Sequence, residues 1–189
     1  MSQRSKRESR ALIIESARQE FASFGFAGAR VARVAQRAGV NKQLIFYYFG
    51  SKAGLHEAIT AQAAERIGAQ SPSQQPGGPA INRIRTAIRR VFDSLEAQPE
   101  LVTVLFDHGT AAGAALDVAD KLAEEVRSVT SEGQGLGYFR DEADPALVAQ
   151  QAVVLCAGYL GLEGPPADQR ERARWVEGVS ELLLRYLAW

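Results

Sequence analysis

The chain has a single cysteine, Cys156, in 189 residues, so no internal disulfide can form and no structural zinc site can be built from thiolates. Histidine is almost as scarce: His56 and His108 lie far apart, with no spacing that would pair them as metal ligands. No run of eighteen apolar residues and no secretory leader pattern is present, which excludes an obvious membrane span and gives the expectation of a cytoplasmic protein with no membrane partner. Convergent catalytic chemistry is missing too. Cys156 sits in an apolar stretch and reads as a buried thiol rather than a nucleophile. The Gly-x-Gly-x-Gly of residues 133–137 has no strand before it, so it is a weak match to a phosphate loop. Asp141, Glu142 and Asp144 lack further spaced ligands and read as helix-capping residues rather than a metal site. No enzyme activity, cofactor or metal is expected.

Net charge is absent as well, 22 Lys and Arg being matched by 22 Asp and Glu, but the balance hides an asymmetry. Residues 1–52 carry ten basic against three acidic side chains, +7, and residues 53–189 carry twelve against nineteen, −7. A segment that basic is drawn to a phosphate polyanion, while the acidic remainder is kept off it. The hydrophobic content of 46% is ample for a core, and the length fits a small head on a larger body.

The basic half contains the most organised stretch, residues 31–52. Residues 35–38 favour helix, Gly39 suits the left-handed conformation that closes one, and Asn41 is a good N-cap for the next. The pattern is helix, tight turn, helix. On a wheel, Ile45 and Phe49 turn inward, Gln43, Leu44 and Tyr47 turn outward, and Phe46 and Tyr48 flank the two faces. That outward face suits a major groove: Gln can bond an adenine edge twice, Leu can touch a thymine methyl, and a Tyr hydroxyl can bond phosphate. Lys42 and Lys52 each open a helix, where an amine and unpaired amides together favour a phosphate.

Two segments carry a family resemblance: Phe21-Ala22-Ser23-Phe24-Gly25-Phe26, and Ala38-Gly39-Val40-Asn41-Lys42-Gln43-Leu44-Ile45-Phe46-Tyr47-Tyr48-Phe49-Gly50-Ser51-Lys52. Residues from about 9 to 58 resemble the N-terminal domain of the tetracycline-repressor (TetR) family of bacterial transcription regulators. The resemblance implies an all-α chain: a three-helix helix-turn-helix head at 1–52 and a helical ligand-binding and dimerisation domain at 53–189. The residues assigned to DNA are Arg30, Arg33, Asn41, Lys42, Gln43, Leu44, Tyr47, Tyr48 and Lys52. Three features depart from the family, one being Ala53 and Gly54 after Lys52, where acidic helix formers are usual. Ala29 stands where a Thr usually caps the second helix and bonds phosphate, with Arg30 and Arg33 as the expected substitutes unless they are plain exposed charges. Phe46 replaces a common Tyr and has no hydroxyl to offer.

In chain order, residues 1–8 read as a basic tail, either solvated or laid along the DNA. Residues 10–24 form a first helix with Leu12, Ile13, Ala17, Phe21 and Phe24 on one stripe, ended by Gly25. Ser51 caps a fourth helix reaching about residue 69, whose start is softened by Gly54. Residues 70–79 form a breaker-rich loop. A fifth helix carries Ile81, Ile84, Ile88, Val91, Phe92 and Leu95, with an arginine face of Arg83, Arg85, Arg89 and Arg90 expected to pair with acids of neighbouring helices. Pro99 begins a further segment, 100–110, the small-residue run 110–115 separates it from a helix at 116–130, and 132–137 is a breaker. Asp144 and Pro145 open the penultimate helix, also as in the family.

Residues 146–162 are apolar on nearly every face, and 174–189 form an amphipathic partner. The resemblance implies that these two helices build a four-helix interface in a twofold homodimer, with Ala157→Glu expected to separate it. A double-stranded, pseudo-palindromic DNA operator follows. The body is expected to enclose a small-molecule effector near Phe92, Leu95, Val102, Phe106, Cys156 and Tyr159, and effector binding to release a repressor from DNA. A ligand-independent DNA-binding protein with a filled body, or a small-molecule-binding protein on the same scaffold, are the alternatives.

Overall fold

The computed structural model describes residues 3–69, 78–106 and 112–188. Nine helices lie among the described residues, and no strand: α1 (Gln3–Gly28), α2 (Val31–Ala38), α3 (Lys42–Phe49), α4 (Lys52–Ala69), α5 (Ala80–Ala97), α6 (Pro99–Phe106), α7 (Ala112–Gly135), α8 (Pro145–Leu162) and α9 (Gln169–Leu187). Most of the 70–79 loop, the start of the 110–115 run and His108 fall outside the described residues.

Two apolar clusters organise these helices. The first gathers Ile13, Ile14, Ala17 and Phe21 of α1, Val34, Ala35 and Ala38 of α2, Ile45 of α3, and Leu55 and Ile59 of α4. The second runs from Ala63, Ala64 and Ile67 at the far end of α4 through α5, α6, α7, α8 and α9. α4 thus contributes one half to each core. A part-buried ion pair also ties the two together: Arg18 Nε on α1 donates to Glu100 Oε1 on α6 at 2.6 Å.

Several boundaries differ from the sequence reading. α1 begins at Gln3, so the basic segment expected to be a loose tail forms its first turns. Gly25, with φ 62° and ψ 177°, leaves helical geometry and ends the first long run as its sequence suggests, and a short further helical turn follows it to Gly28. Leu12 and Phe24 are exposed, and it is Ile14 that joins Ile13, Ala17 and Phe21 inside. α7 runs through the glycines to Gly135, because Gly133 lies under the Phe139 ring and provides the space that ring occupies. α9 starts at Gln169, where Asp168 accepts from the amides of Arg170 and Glu171, both at 2.8 Å.

Arg83, Arg85 and Arg90 of the α5 arginine face are paired as expected, while Arg89 is exposed. Arg83 forms a two-pronged bridge to Glu132 of α7 at 2.7 and 2.5 Å, Arg85 meets Glu177 of α9 at 2.9 Å, and Arg90 pairs with Glu125 of α7. Asp144 caps α8 by accepting from the Ala146 amide at 2.8 Å. By length and composition α8 is apolar enough to cross a membrane, with mean hydropathy 1.5 over eighteen residues. One of its faces, with Val148, Ala149, Ala152, Val153, Cys156 and Ala157, lies in the body core. The other leaves Leu147 and Val154 exposed and forms, with Leu182, Leu183 and Tyr186 of α9, a groove of about 610 Å³.

Candidate nucleic-acid interface

The turn between α2 and α3 is built as its residues dictate. Gly39 adopts φ 66°, and the Gly39 and Val40 amides donate back to the carbonyls of Gln36 and Ala35 at 3.3 and 3.0 Å. The Asn41 side chain then accepts from the Gln43 amide at 2.9 Å, starting α3. This satisfies backbone groups that a sharp turn would otherwise leave bare.

Ile45 is the buried anchor of α3, with Phe49 half-buried on the same side. Gln43 is exposed, Tyr47 is 75% exposed, and Leu44 is half-exposed. A shallow groove of about 560 Å³ runs beside this face, lined by Ser9, Gly39, Val40, Asn41, Gln43, Leu44 and Tyr47. Ser9 was not expected there; it arrives because α1 extends past α3. The Tyr48 hydroxyl donates to the Lys6 carbonyl at 3.4 Å, and the Arg10 guanidinium lies 5.5 Å from the Phe49 ring centre. Lys42 lies 5.5 Å over Phe46, so a ring without a hydroxyl still steadies the amine at the start of the helix.

The other basic candidates are held differently. Arg30 is exposed, and its amide donates to Glu20 Oε1 at 2.9 Å. Arg33 reaches the same oxygen at 2.6 Å, donates to the Gly28 carbonyl at 2.9 Å and covers the Phe24 ring at 4.1 Å. Lys52 donates to the Ala27 carbonyl at 3.2 Å and lies 4.8 Å over Phe26. Glu20, fully buried, is the residue the sequence reading missed. Its signal was an acid on the apolar stripe of α1, one turn after Ala17.

In the body, the chain brings some of the ligand candidates together and not others. Phe92 and Tyr159 have ring centres 6.0 Å apart, and Tyr159 lies 3.8 Å from Trp175, an unanticipated partner. Cys156 and Leu95 are fully buried, in the same core. Val102 joins that core too, and with Phe106 it lies along the Gly161 backbone of α8, where an added Cβ would be 3.3 to 3.4 Å from their side chains. Phe106 is half-exposed. His56 packs edge-on against Phe21 and Phe26 at 4.8 and 5.1 Å. Among the described residues no three His, Cys, Asp or Glu side chains come together as a metal site.

Residues 13–59 match the family described as bacterial regulatory proteins, tetR family. The chain is 35% identical over 146 residues to the HTH-type transcriptional repressor SCO4008 of Streptomyces coelicolor, an alignment covering 75% of this chain and 72% of that protein. The chain belongs to the TetR family. With the HTH-type transcriptional repressor NicS of Pseudomonas putida the identity is 27% over 199 residues, spanning 93% of this chain and 90% of its relative. The fatty acid degradation regulator FadR from Bacillus halodurans shares the fold with a TM-score of 0.73, at 22% identity, covering 93% of this chain and 94% of that one. AibR, solved with isovaleryl coenzyme A and operator DNA, also superposes with a TM-score of 0.73, at 16% identity and with 92% and 97% covered. As a TetR-family member the chain is a transcriptional regulator with a helix-turn-helix DNA-binding head.

Proposed function

We propose that this TetR-family regulator is a cytoplasmic repressor without catalytic activity, which binds a pseudo-palindromic operator as a homodimer and is released by a small molecule. The supporting observation is the outward face of α3: Tyr47, Gln43 and Leu44 project from a helix whose opposite side is pinned by Ile45. Gln43 reads a base edge, Leu44 contacts a thymine methyl, and Lys42, Tyr47, Tyr48 and Arg30 bind backbone, with Asn41 holding the start of the helix. The head spans residues 1–52 and the body 53–189, α4 serving both.

Two chains pair through the outer faces of α8 and α9, placing the two reading helices about one DNA turn apart or slightly more. The effector site lies among the body helices near Phe92, Leu95, Val102, Phe106, Cys156 and Tyr159. In AibR the same fold is solved with an acyl coenzyme A and operator DNA together. Release requires that the effector favour the DNA-incompetent spacing of the heads, since equal affinity for both states shifts nothing.

The test is selection of bound duplexes from random sequence, followed by binding measurements on variants and a screen for small molecules that release the selected DNA. Tyr47→Ala and Lys42→Ala are expected to weaken operator binding with little loss of thermal stability. Gln43→Ala is expected to relax preference at one base pair by about 1 to 3 kcal/mol. Parent-like binding by all three variants would remove the assigned reading face.

A further inference from the structure

Resting on the DNA-binding reading of the head, we propose that Glu20 selects which basic groups touch the DNA backbone: it fills the anion-attracting start of α2 from inside the protein and withholds Arg33 from phosphate. Three observations lead there. α2 has no cap of its own, because Ala29 precedes it and Arg30 at its N-cap makes no side-chain capping bond. Bare amides at such a start attract an anion, and in a DNA-binding head the ready anion is a phosphate.

Here a carboxylate from α1 is already in place. Glu20 Oε1 accepts from the Arg30 amide at 2.9 Å and from the Arg33 guanidinium at 2.6 Å. Glu20 has no exposed surface, and its Oε2 has no hydrogen-bond partner. A buried carboxylate with only one oxygen satisfied depends heavily on the cation beside it.

Arg33 is correspondingly committed. Besides Glu20 it holds the Gly28 carbonyl at 2.9 Å and stacks on the Phe24 ring at 4.1 Å. Swinging to a phosphate would exchange a short bond to a fully buried carboxylate for a water-screened one and strand Glu20. The two charges cancel within the head, and Arg30, whose side chain is exposed, remains the basic group at that end. Because backbone contacts are blind to sequence, removing one from the head lowers binding to operator and random DNA by a similar factor and makes binding less salt-dependent, without touching the bases that α3 reads. Glu20 is thus a positioning residue that sets how many backbone contacts the head makes, and with them the salt dependence of its binding.

The experiment measures binding of the full chain to a selected operator and to a random duplex across a series of salt concentrations. Each phosphate contact contributes about one unit to the slope of log affinity against log salt. Arg33→Gln is expected to keep the parent slope, and a slope shallower by about one unit overturns the proposal. Glu20→Gln is expected to steepen the slope by about one unit and to strengthen operator and random-duplex binding alike; an unchanged slope overturns it as well. The neutral double variant Glu20→Gln/Arg33→Gln, which strands no buried charge, is expected to match the parent slope. It decides the matter if either single variant fails to fold, a loss of about one unit again counting against the proposal. A parent protein with no salt-dependent DNA binding would instead remove the DNA-binding reading itself.

Discussion

The Cys156 thiol lies on α8 with no exposed surface, and burial together with the nearby Asp93 carboxylate pushes its pKa up to about 12. The thiolate is the reactive form, so at pH 8 this cysteine is both protonated and covered. Native protein is expected to resist a thiol-alkylating reagent and to react with one equivalent only once unfolded, as mass spectrometry would show; rapid labelling of folded protein would contradict this. The neighbourhood of Cys156 was legible as apolar from Val153, Val154, Leu155 and Ala157. The acid beside it was not, because Asp93 comes from another helix. The same limit explains the basic residues of the head. Lys42, Arg33 and Lys52 look alike as charges in a sequence. Only the fold shows that Arg33 reaches Glu20 and that Lys52 reaches the Ala27 carbonyl, while Lys42 stays at the exposed start of α3.

At the scale of elements, caps and turns were the most legible features, since each depends on residues adjacent in sequence: Gly39, Asn41 and Asp144 do what their types suggest. Glycines set by tertiary contact were misread. Gly54 looked like a weakness at the start of α4, yet a Cβ there would lie 2.1 Å from the Phe49 carbonyl oxygen. Its missing side chain lets the end of α3 sit against α4. Gly54→Ala, which in an ordinary helix interior adds about 1 kcal/mol of stability, is therefore expected to destabilise this protein; a raised melting temperature would show that the close approach is unimportant. Between α5 and α7, the Arg83 guanidinium hydrogen-bonded to Glu132 holds that carboxyl below the usual glutamate range. A depressed folded-state pKa gives stability that is present above the unfolded value and lost as pH falls through the folded one. Asp93, pushed up by burial, titrates in the opposite sense, its contribution fading as pH rises. Comparison with Arg83→Gln isolates the first effect: the variant should lose less stability than the parent on acidification below about pH 4.3. Parallel denaturation midpoints across that range would exclude a role for the pair.

For the whole molecule, the sequence foretold the two-part plan through its charge asymmetry, but not which side of α8 faces outward, because a helix apolar all round has no preferred face to read. Ala157, chosen from sequence as the residue at the subunit contact, is 1% exposed and packs in its own body core. Placing Glu there buries a carboxylate without a partner and is expected to unfold the chain rather than separate two copies. The outward face instead carries Val154 at 53% and Leu182 at 56% exposure, side by side along the groove that Leu147 and Tyr186 complete. Contiguous exposed apolar groups of this kind are costly in water and are relieved by a self-complementary twofold contact. Val154→Glu puts charge into that face while leaving the core intact. Its expected result is a monomer by sedimentation, with parent-like helicity and far weaker binding to a two-half-site operator, because one head alone makes half the contacts. A variant that remains dimeric would move the subunit contact elsewhere on the body, and one that is monomeric yet binds the full operator like the parent would separate DNA reading from pairing.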